Sequence, residues 1–178
     1  MKKSDLFNKK PKKMLHIAPE FCFSTNLSKM GHVQYITIDL KSPSAMLNMD
    51  ITSIQFPDNY FDVIYCSHVL QEVLDDYKAL KEMRRVCRPE GLAVLQVPIV
   101  TEQTIEDPTV LSYLGRMKKF GQGANVRKCG WDYIDRMKSA GFDTQVVKAG
   151  DLLSCSECKS MKIDRQRSIF FCTPCFGA

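Results

Sequence analysis

The sequence predicts an open α/β fold, a mostly parallel sheet with helices on both faces. Three observations carry that expectation. Short apolar, β-rich runs alternate with segments of helical period from residue 14 to residue 99. Acids, Asp39 and Asp50, stand at the ends of the second and third runs. The run at 61–70 opens fully apolar, as a strand buried on both faces does.

MLHIA (14–18) reads as the first buried strand and 21–31 as a helix closed by Gly31. VQYITIDL (33–40) is a second strand, and MLNMDI (46–51) a third. FPDN (56–59) is a turn, and FDVIYCSHVL (61–70) supplies the central strand. LDDYKALKEMRRVCR (74–88) spaces Leu74, Tyr77, Leu80, Met83, Val86 and Cys87 on one helical face, with Pro89 and Gly91 as the stop. LAVLQVPI (92–99) is the next strand, and 100–130 reads as a loop-rich excursion. A helix at 131–142 and strands at 143–149 and 167–173 complete the chain, the last of them expected antiparallel.

With 178 residues, 44% hydrophobic and 25% charged, the chain has the composition of one soluble globular domain, which excludes disordered and collagen-like classes. No apolar stretch reaches the roughly 18–20 residues that span a bilayer. The lysine-rich start has no apolar core behind it, so no secretory signal is read and a cytoplasmic location is expected. That absence also argues against a disulfide framework for the eight cysteines.

Charge divides the chain. Residues 1–13 hold six lysines and one acid, which account for the whole net charge of +5. The expected organisation is a basic flexible arm (1–13), a core domain (14–150), and a C-terminal segment (151–178) packed on it. The neutral body argues against nucleic-acid binding. The arm itself reads as solvated chain or as an electrostatic hold on RNA or an anionic surface.

Ligands in open α/β sheets sit at the carboxyl ends of strands, where strand order reverses. Asp39 is placed to accept from ribose hydroxyls. Asp50 with Ile51 offers a carboxylate for an exocyclic amine and an apolar face for adenine. Taken singly, each acid could equally be a loop acid. The chain has neither GxGxxG nor GxxxxGK[ST], and its first turn is Ala18-Pro19-Glu20, which would repel a pyrophosphate. An adenosine carrying an amino acid in place of phosphates suits it better, and S-adenosylmethionine is such a cofactor.

FPDNYFDVIYCSHVLQEVLDDYKALKEMRRVCRPEGLAVLQVPI (56–99) resembles the central segment of class I S-adenosylmethionine-dependent methyltransferases. LHIAPE (15–20), IEDPTV (105–110) and GQGANVRKCGWDYIDRMKSAGF (121–142) resemble a bacterial subgroup with this string as its first loop. The resemblance, over roughly 14–150, implies a Rossmann-like class I methyltransferase fold. It implies that Ala18, Pro19 and Glu20 form the first cofactor loop, and that Asp39 and Leu40 hold the ribose and adenine edge. Asp50 and Ile51 would bind the adenine; Ser67 and His68 would face the methionine moiety. His16 stands where many such enzymes carry an acid, and Glu20 could compensate. The chain departs from the pattern at Gln71-Glu72 (usually Glu-His), at Pro89-Glu90-Gly91, at Ala124-Asn125 (usually Asp-His), and in lacking helices before the first strand. The last departure leaves the pocket open, or closed by a partner chain or a second copy.

Methyl transfer from a sulfonium is an in-line displacement, so alignment dominates and a base is needed only if the acceptor must lose a proton. His68 is the candidate base, or else a histidine hydrogen-bonded at a helix start. Gln122 and Arg127 are candidate acceptor-binding residues. Cys155, Cys158, Cys172 and Cys175 form two C-x-x-C pairs thirteen residues apart, the spacing of a zinc ribbon; the alternative is a short helix with free thiols. The reading reached is methyl transfer to a small or saccharide-like acceptor. Its alternatives are a non-catalytic methyltransferase-fold module or partner subunit, and RNA methylation guided by the lysine arm.

Overall fold

The structure, a computed structural model, describes residues 8–175. Its core is a seven-stranded sheet of order β3-β2-β1-β4-β5-β10-β9. These are β1 (Lys12–Ile17), β2 (Val33–Asp39), β3 (Leu47–Asn48), β4 (Phe61–Ser67), β5 (Cys87–Gln96), β9 (Phe142–Lys148) and β10 (Ser168–Pro174). β1, β2, β3, β4 and β5 run parallel, and β10 lies antiparallel between β5 and β9. β1 is flanked by β2 and β4, so strand order reverses there, and a crevice opens at the carboxyl ends. The expected fold class is the observed one.

Alternation along the strands builds two unequal cores. Leu15, Ile17, Ile38, Ile64, Cys66, Ala93 and Leu95 face one way. There they meet Ala79, Leu80, Met83 and Val86 of α2 (Asp76–Val86), and Tyr133 and Met137 of α4 (Tyr133–Ser139). Met14, Val33, Tyr35 and Val63 face the other way, under Leu27 of α1 (Phe21–Leu27). Asp75 caps α2 by accepting from the Lys78 amide at 2.9 Å.

Several elements differ from expectation for local reasons. The helix ends at Val86, not at Pro89, and Arg88-Pro89-Glu90-Gly91 already belong to β5, opposite a register shift in β4 between Phe61 and Val63. A Cβ at Gly91 would lie 2.9 Å from the Arg88 carbonyl oxygen and 3.0 Å from that of Asp62, so the bulge admits only glycine. The third strand shrinks to two residues, and Asp50 falls in the turn after it. Of the expected basic arm, residues 1–7 lie outside the described residues. Lys12 and Lys13 belong to β1, where the Lys13 ammonium rests 3.9 Å above the Tyr60 ring.

The excursion is more ordered than its polarity suggests. β6 (Ile99–Thr101), β7 (Ile105–Glu106) and β8 (Arg127–Gly130) form a small sheet of order β6-β8-β7, with α3 (Tyr113–Phe120) between β7 and β8. It is bound to the core by charge. Arg127, 3% exposed, donates to the carbonyls of Leu70 (2.6 Å), Val73 and Leu74 (3.0 Å) and to Glu106. Buried Asp76 accepts from Tyr133 at 2.6 Å and pairs with Arg136 at 3.2 Å and Arg127 at 3.4 Å. Arg136 also reaches Glu106, at 3.0 Å.

The C-terminal cysteines overturn the zinc-ribbon expectation. α5 (Ala149–Leu152) and α6 (Cys155–Ser160) follow β9 at the carboxyl end of the sheet. Cys155 and Cys158 therefore lie there. Cys175 lies at the other end, donating to the Gly141 carbonyl at 2.8 Å. Seven residues of β10 separate the two ends by about 20 Å. Cys172 points into the core, its sulfur 3.8 Å from that of Met137, and burial pushes its thiol up to about 12. The four thiols cannot converge on one tetrahedron. Among the described residues, no cluster of histidine, cysteine, aspartate or glutamate could hold a metal ion.

Two outcomes follow from this packing. Asp76→Ala leaves Arg127 charged, buried and short of a partner, and should cost about 3–5 kcal/mol of unfolding free energy in urea titration. A strong chelator should leave the melting temperature unchanged; a fall would restore a metal to the cysteines.

Candidate functional site

The carboxyl ends of β1, β2 and β4 converge on one crevice. β1 leaves the sheet through Ala18, whose φ of 51° is left-handed, while its amide donates to the Ile38 carbonyl at 2.8 Å. Pro19 follows, with no amide to offer, and Glu20 caps α1 through its backbone. The end of β4 turns in the same way: His68 has φ 55°, with its amide held by the Gln96 carbonyl at 2.8 Å. Two non-glycine residues in left-handed conformation thus flank the point where strand order reverses.

His16 is fully buried beneath this turn. Its Nε2 lies 2.7 Å from the Glu20 carboxylate and its Nδ1 2.6 Å from the Tyr35 hydroxyl. A carboxylate only accepts, so Nε2 carries the proton and the Tyr35 O–H donates to Nδ1. Burial pushes the imidazole pKa down, against the pull of the Glu20 hydrogen bond and charge. A neutral histidine on β1 therefore holds an acid from the loop. Tyr65 packs edge-on to His16 at 5.0 Å, and Phe23 lies 5.4 Å from Tyr65.

Asp39 ends β2. Its Oδ1 accepts from the amides of Lys41 and Ser42, both at 2.7 Å, and among the described residues Oδ2 takes no hydrogen bond. Leu40 beside it is 54% exposed. Asp50 is exposed and caps its own turn through the Thr52 amide at 2.8 Å. Ile51 is spent differently from expectation: it is 7% exposed and belongs to the core, which leaves little of it for a ring face.

Ser67, at the end of β4, is half-buried, and the next residue, His68, is exposed on a cleft of about 520 Å³ between the main sheet and the excursion. Burial lowers the His68 pKa, helped by the Arg167 guanidinium and opposed by Glu20. Glu72, on the same cleft, is raised by burial and then by the charge of Asp39. Gln122 is exposed on the wall. Arg127 also touches the cleft, but its donors are engaged by carbonyls and carboxylates as described above, so it shapes the wall and has no free hand for an acceptor.

Tyr35 escaped the sequence reading because its meeting with His16 depends on register, Met14 pairing with Tyr35 and His16 with Thr37. Gln71 and Asn125 were visible only as departures from a pattern; the fold brings both to the cleft.

Lowering the pH should weaken the fold through His16. Its native pKa lies below its ordinary 6.5, so the unfolded chain binds the extra proton first. The stabilisation is complete above pH 6.5 and is lost as pH falls toward the native value. Imidazole NMR titration should place His16 below 6.5, and Glu20→Gln, which removes the opposing charge, should lower it further. Titration above 6.5 would contradict the assignment.

Comparison with known proteins agrees with this architecture. Residues 20–95 match the model of the methyltransferase domain family. The chain is 38% identical over 72 residues to the ubiquinone/menaquinone biosynthesis C-methyltransferase UbiE of Bdellovibrio bacteriovorus, covering 40% of this chain and 29% of the relative. With UbiE of Serratia proteamaculans it shares 31% identity over 135 residues, 64% of this chain and 47% of the relative. The chain thus spans about a third to a half of the curated relatives it matches. Among solved structures, a chain of the complex between the Trm112 methyltransferase activator of Haloferax volcanii and a methyltransferase superposes with a TM-score of 0.62 at 10% identity, covering 94% of this chain and 84% of that one. PH0226 from Pyrococcus horikoshii gives 0.61 at 17% identity, covering 96% and 85%. YcgJ from Bacillus subtilis gives 0.57 at 16%, covering 91% and 88%. At such identities these likenesses bear on the fold alone.

Proposed function

We propose, from a fold and a central segment similar to those of class I S-adenosylmethionine-dependent methyltransferases, that this chain transfers a methyl group to a small-molecule acceptor seated in the cleft beside His68. The observation that carries the reading is the unshared Asp39 Oδ2 at the end of β2, on the crevice formed where strand order reverses.

The residues present fit the cofactor. Asp39 would accept from the ribose hydroxyls, and exposed Leu40 would cover the adenine edge. Asp50 would take the exocyclic amine, without much help from Ile51. Glu20, oriented by His16, would face the cationic amino group, while Ala18, Pro19 and Ser67 would line the methionine moiety. When bound, the cofactor supplies an electrophilic methyl group on a sulfonium. The chain aligns the acceptor against the crevice. His68, exposed on the cleft with its pKa lowered by partial desolvation and by Arg167, is suited to take a proton from an acceptor that must lose one. Gln122 would contact the acceptor. The relatives named for quinone biosynthesis are C-methyltransferases, and carbon methylation of a small ring is the finer form of the proposal.

One observation favours a partner at this end. Phe21 is 84% exposed and Phe23 48%, both on α1 directly after the first loop. A partner chain or second copy seated there would cover the cofactor edge. Among the described residues no helix is long and apolar enough to cross a membrane.

Asp39→Ala should weaken S-adenosylmethionine binding by about 1–3 kcal/mol in calorimetric titration, as expected when partners lose a buried acceptor. An unchanged affinity would move the cofactor off β2 and remove the proposal's support.

A further inference from the structure

The cleft beside His68 contains two polar atoms that the protein leaves unanswered. Gln71 is 3% exposed and Asn125 9% exposed. Gln71 Oε1 and Asn125 Oδ1 are buried, have no hydrogen-bond partner among the described residues, and belong to residues that line the same cleft. Folded chains rarely keep such atoms, because each gives up its water for nothing in return. A third, Gln96 Oε1, belongs to a residue off the cleft and is not part of this pattern.

The orientation of the Gln71 amide is fixed by the protein. Its Nε2 donates to the His68 carbonyl at 2.6 Å, so the opposite corner must be the oxygen. The two backbone segments are tied together, since the Val126 amide donates to the Gln71 backbone carbonyl at 2.9 Å. Arg127 fixes the rest of the wall by holding the carbonyls of Leu70, Val73 and Leu74. The Gln71 oxygen is therefore held in place before any ligand arrives, and both oxygens are neutral acceptors. Cations have no special claim on them; O–H and neutral N–H donors do. Phe120, Val100 and Pro98 supply apolar wall beside them, which suits the body of a compact ring.

We infer that Gln71 and Asn125 form an acceptor-recognition subsite, whose two amide oxygens receive a pair of hydroxyl or amine donors on the molecule to be methylated. The inference rests on the methyl-transfer reading for the purpose of the subsite, but not for its existence. Both residues are specificity-determining and neither moves a proton. A hydroxylated aromatic ring and a saccharide ring share the required chemistry, and the test separates them.

The test is NMR titration of the full chain, loaded with S-adenosylhomocysteine and free of it, using catechol, glucose, and veratrole, the dimethyl ether of catechol. Catechol or glucose should shift the side-chain amide signals of Gln71 and Asn125. The diol that does so identifies which ring the cleft takes. If it is catechol, veratrole should bind at least about tenfold more weakly, the loss expected when a buried polar group stays unpaired. If it is glucose, fully O-methylated glucose should show the same loss. Gln71→Met and Asn125→Leu should each erase most of that discrimination. Asn125→Leu should hold or raise the melting temperature of the ligand-free chain, because it deletes an unmet acceptor. Equal binding of diol and ether, no binding of either diol, or discrimination retained in both variants would overturn the inference. A fallen melting temperature in Asn125→Leu with discrimination intact would show that Asn125 is structural. Calorimetry with S-adenosylhomocysteine on the same samples reports separately on the methyl-transfer reading.

Discussion

Arg127 carries a full charge into the interior, and the acceptor side of the molecule is organised around satisfying it. Its guanidinium joins the turn after β4, the carboxylate of Asp76 at the start of α2, and Glu106 on β7. The 99–130 segment also packs Ile99 and Cys129 against the core, and the ion network fixes where its polar remainder lies. The segment thereby becomes the far wall of a cleft. A buried ion pair contributes little net stability over a hydrophobic pair, since desolvation offsets the attraction. What it contributes here is position: the carbonyls of residues 70–74 and the strand that carries Asn125's neighbours are fixed to each other. Glu106 is partly buried, which would raise its carboxyl pKa, yet hydrogen bonds from Arg136 and Arg127 hold it below the ordinary range, so the network stays charged.

The cofactor side depends on a different constraint, the reversal of strand order around β1. Because β2 and β4 leave β1 in opposite directions, their connections cannot cover its carboxyl end, and the chain turns sharply away at Ala18 and at His68. The same end collects Glu20, Asp39 and Asp50. Three acids around one crevice would repel an anionic ligand and favour a cationic or hydroxyl-rich one. His16, neutral and hydrogen-bonded on both ring nitrogens, holds Glu20 in that group and adds no positive charge of its own.

Most of the sheet was legible in the sequence, because parallel strands buried on both faces are written as continuous apolar runs. The strands at 61–67 and 33–39 and the helix at 76–86 follow their periodicity closely. The error at Pro89 arose because proline usually stops a helix, whereas here the helix had ended three residues earlier and proline sits at a bulge in a strand. The small sheet of 99–130 was hidden because its strand pairing and its salt bridges join residues distant in sequence, which no local pattern reports. The two C-x-x-C pairs misled for a related reason. Spacing along the chain says nothing of an antiparallel strand that carries the second pair to the opposite end of the sheet. In the candidate site, acids at strand ends were readable, while the Tyr35–His16–Glu20 chain and the placing of Gln71 and Asn125 on one cleft required register and tertiary contact.

The central claim is that the carboxyl ends of β1, β2 and β4 receive S-adenosylmethionine with its reactive end toward the His68 cleft. A crystal structure of the chain with S-adenosylhomocysteine tests it most directly. The account predicts the ribose on Asp39, the amino acid end over Ala18–Glu20, and the sulfur facing the cleft that holds Gln71 and Asn125. A nucleoside bound elsewhere, or crystals grown with saturating ligand that show none on these strands, would contradict it.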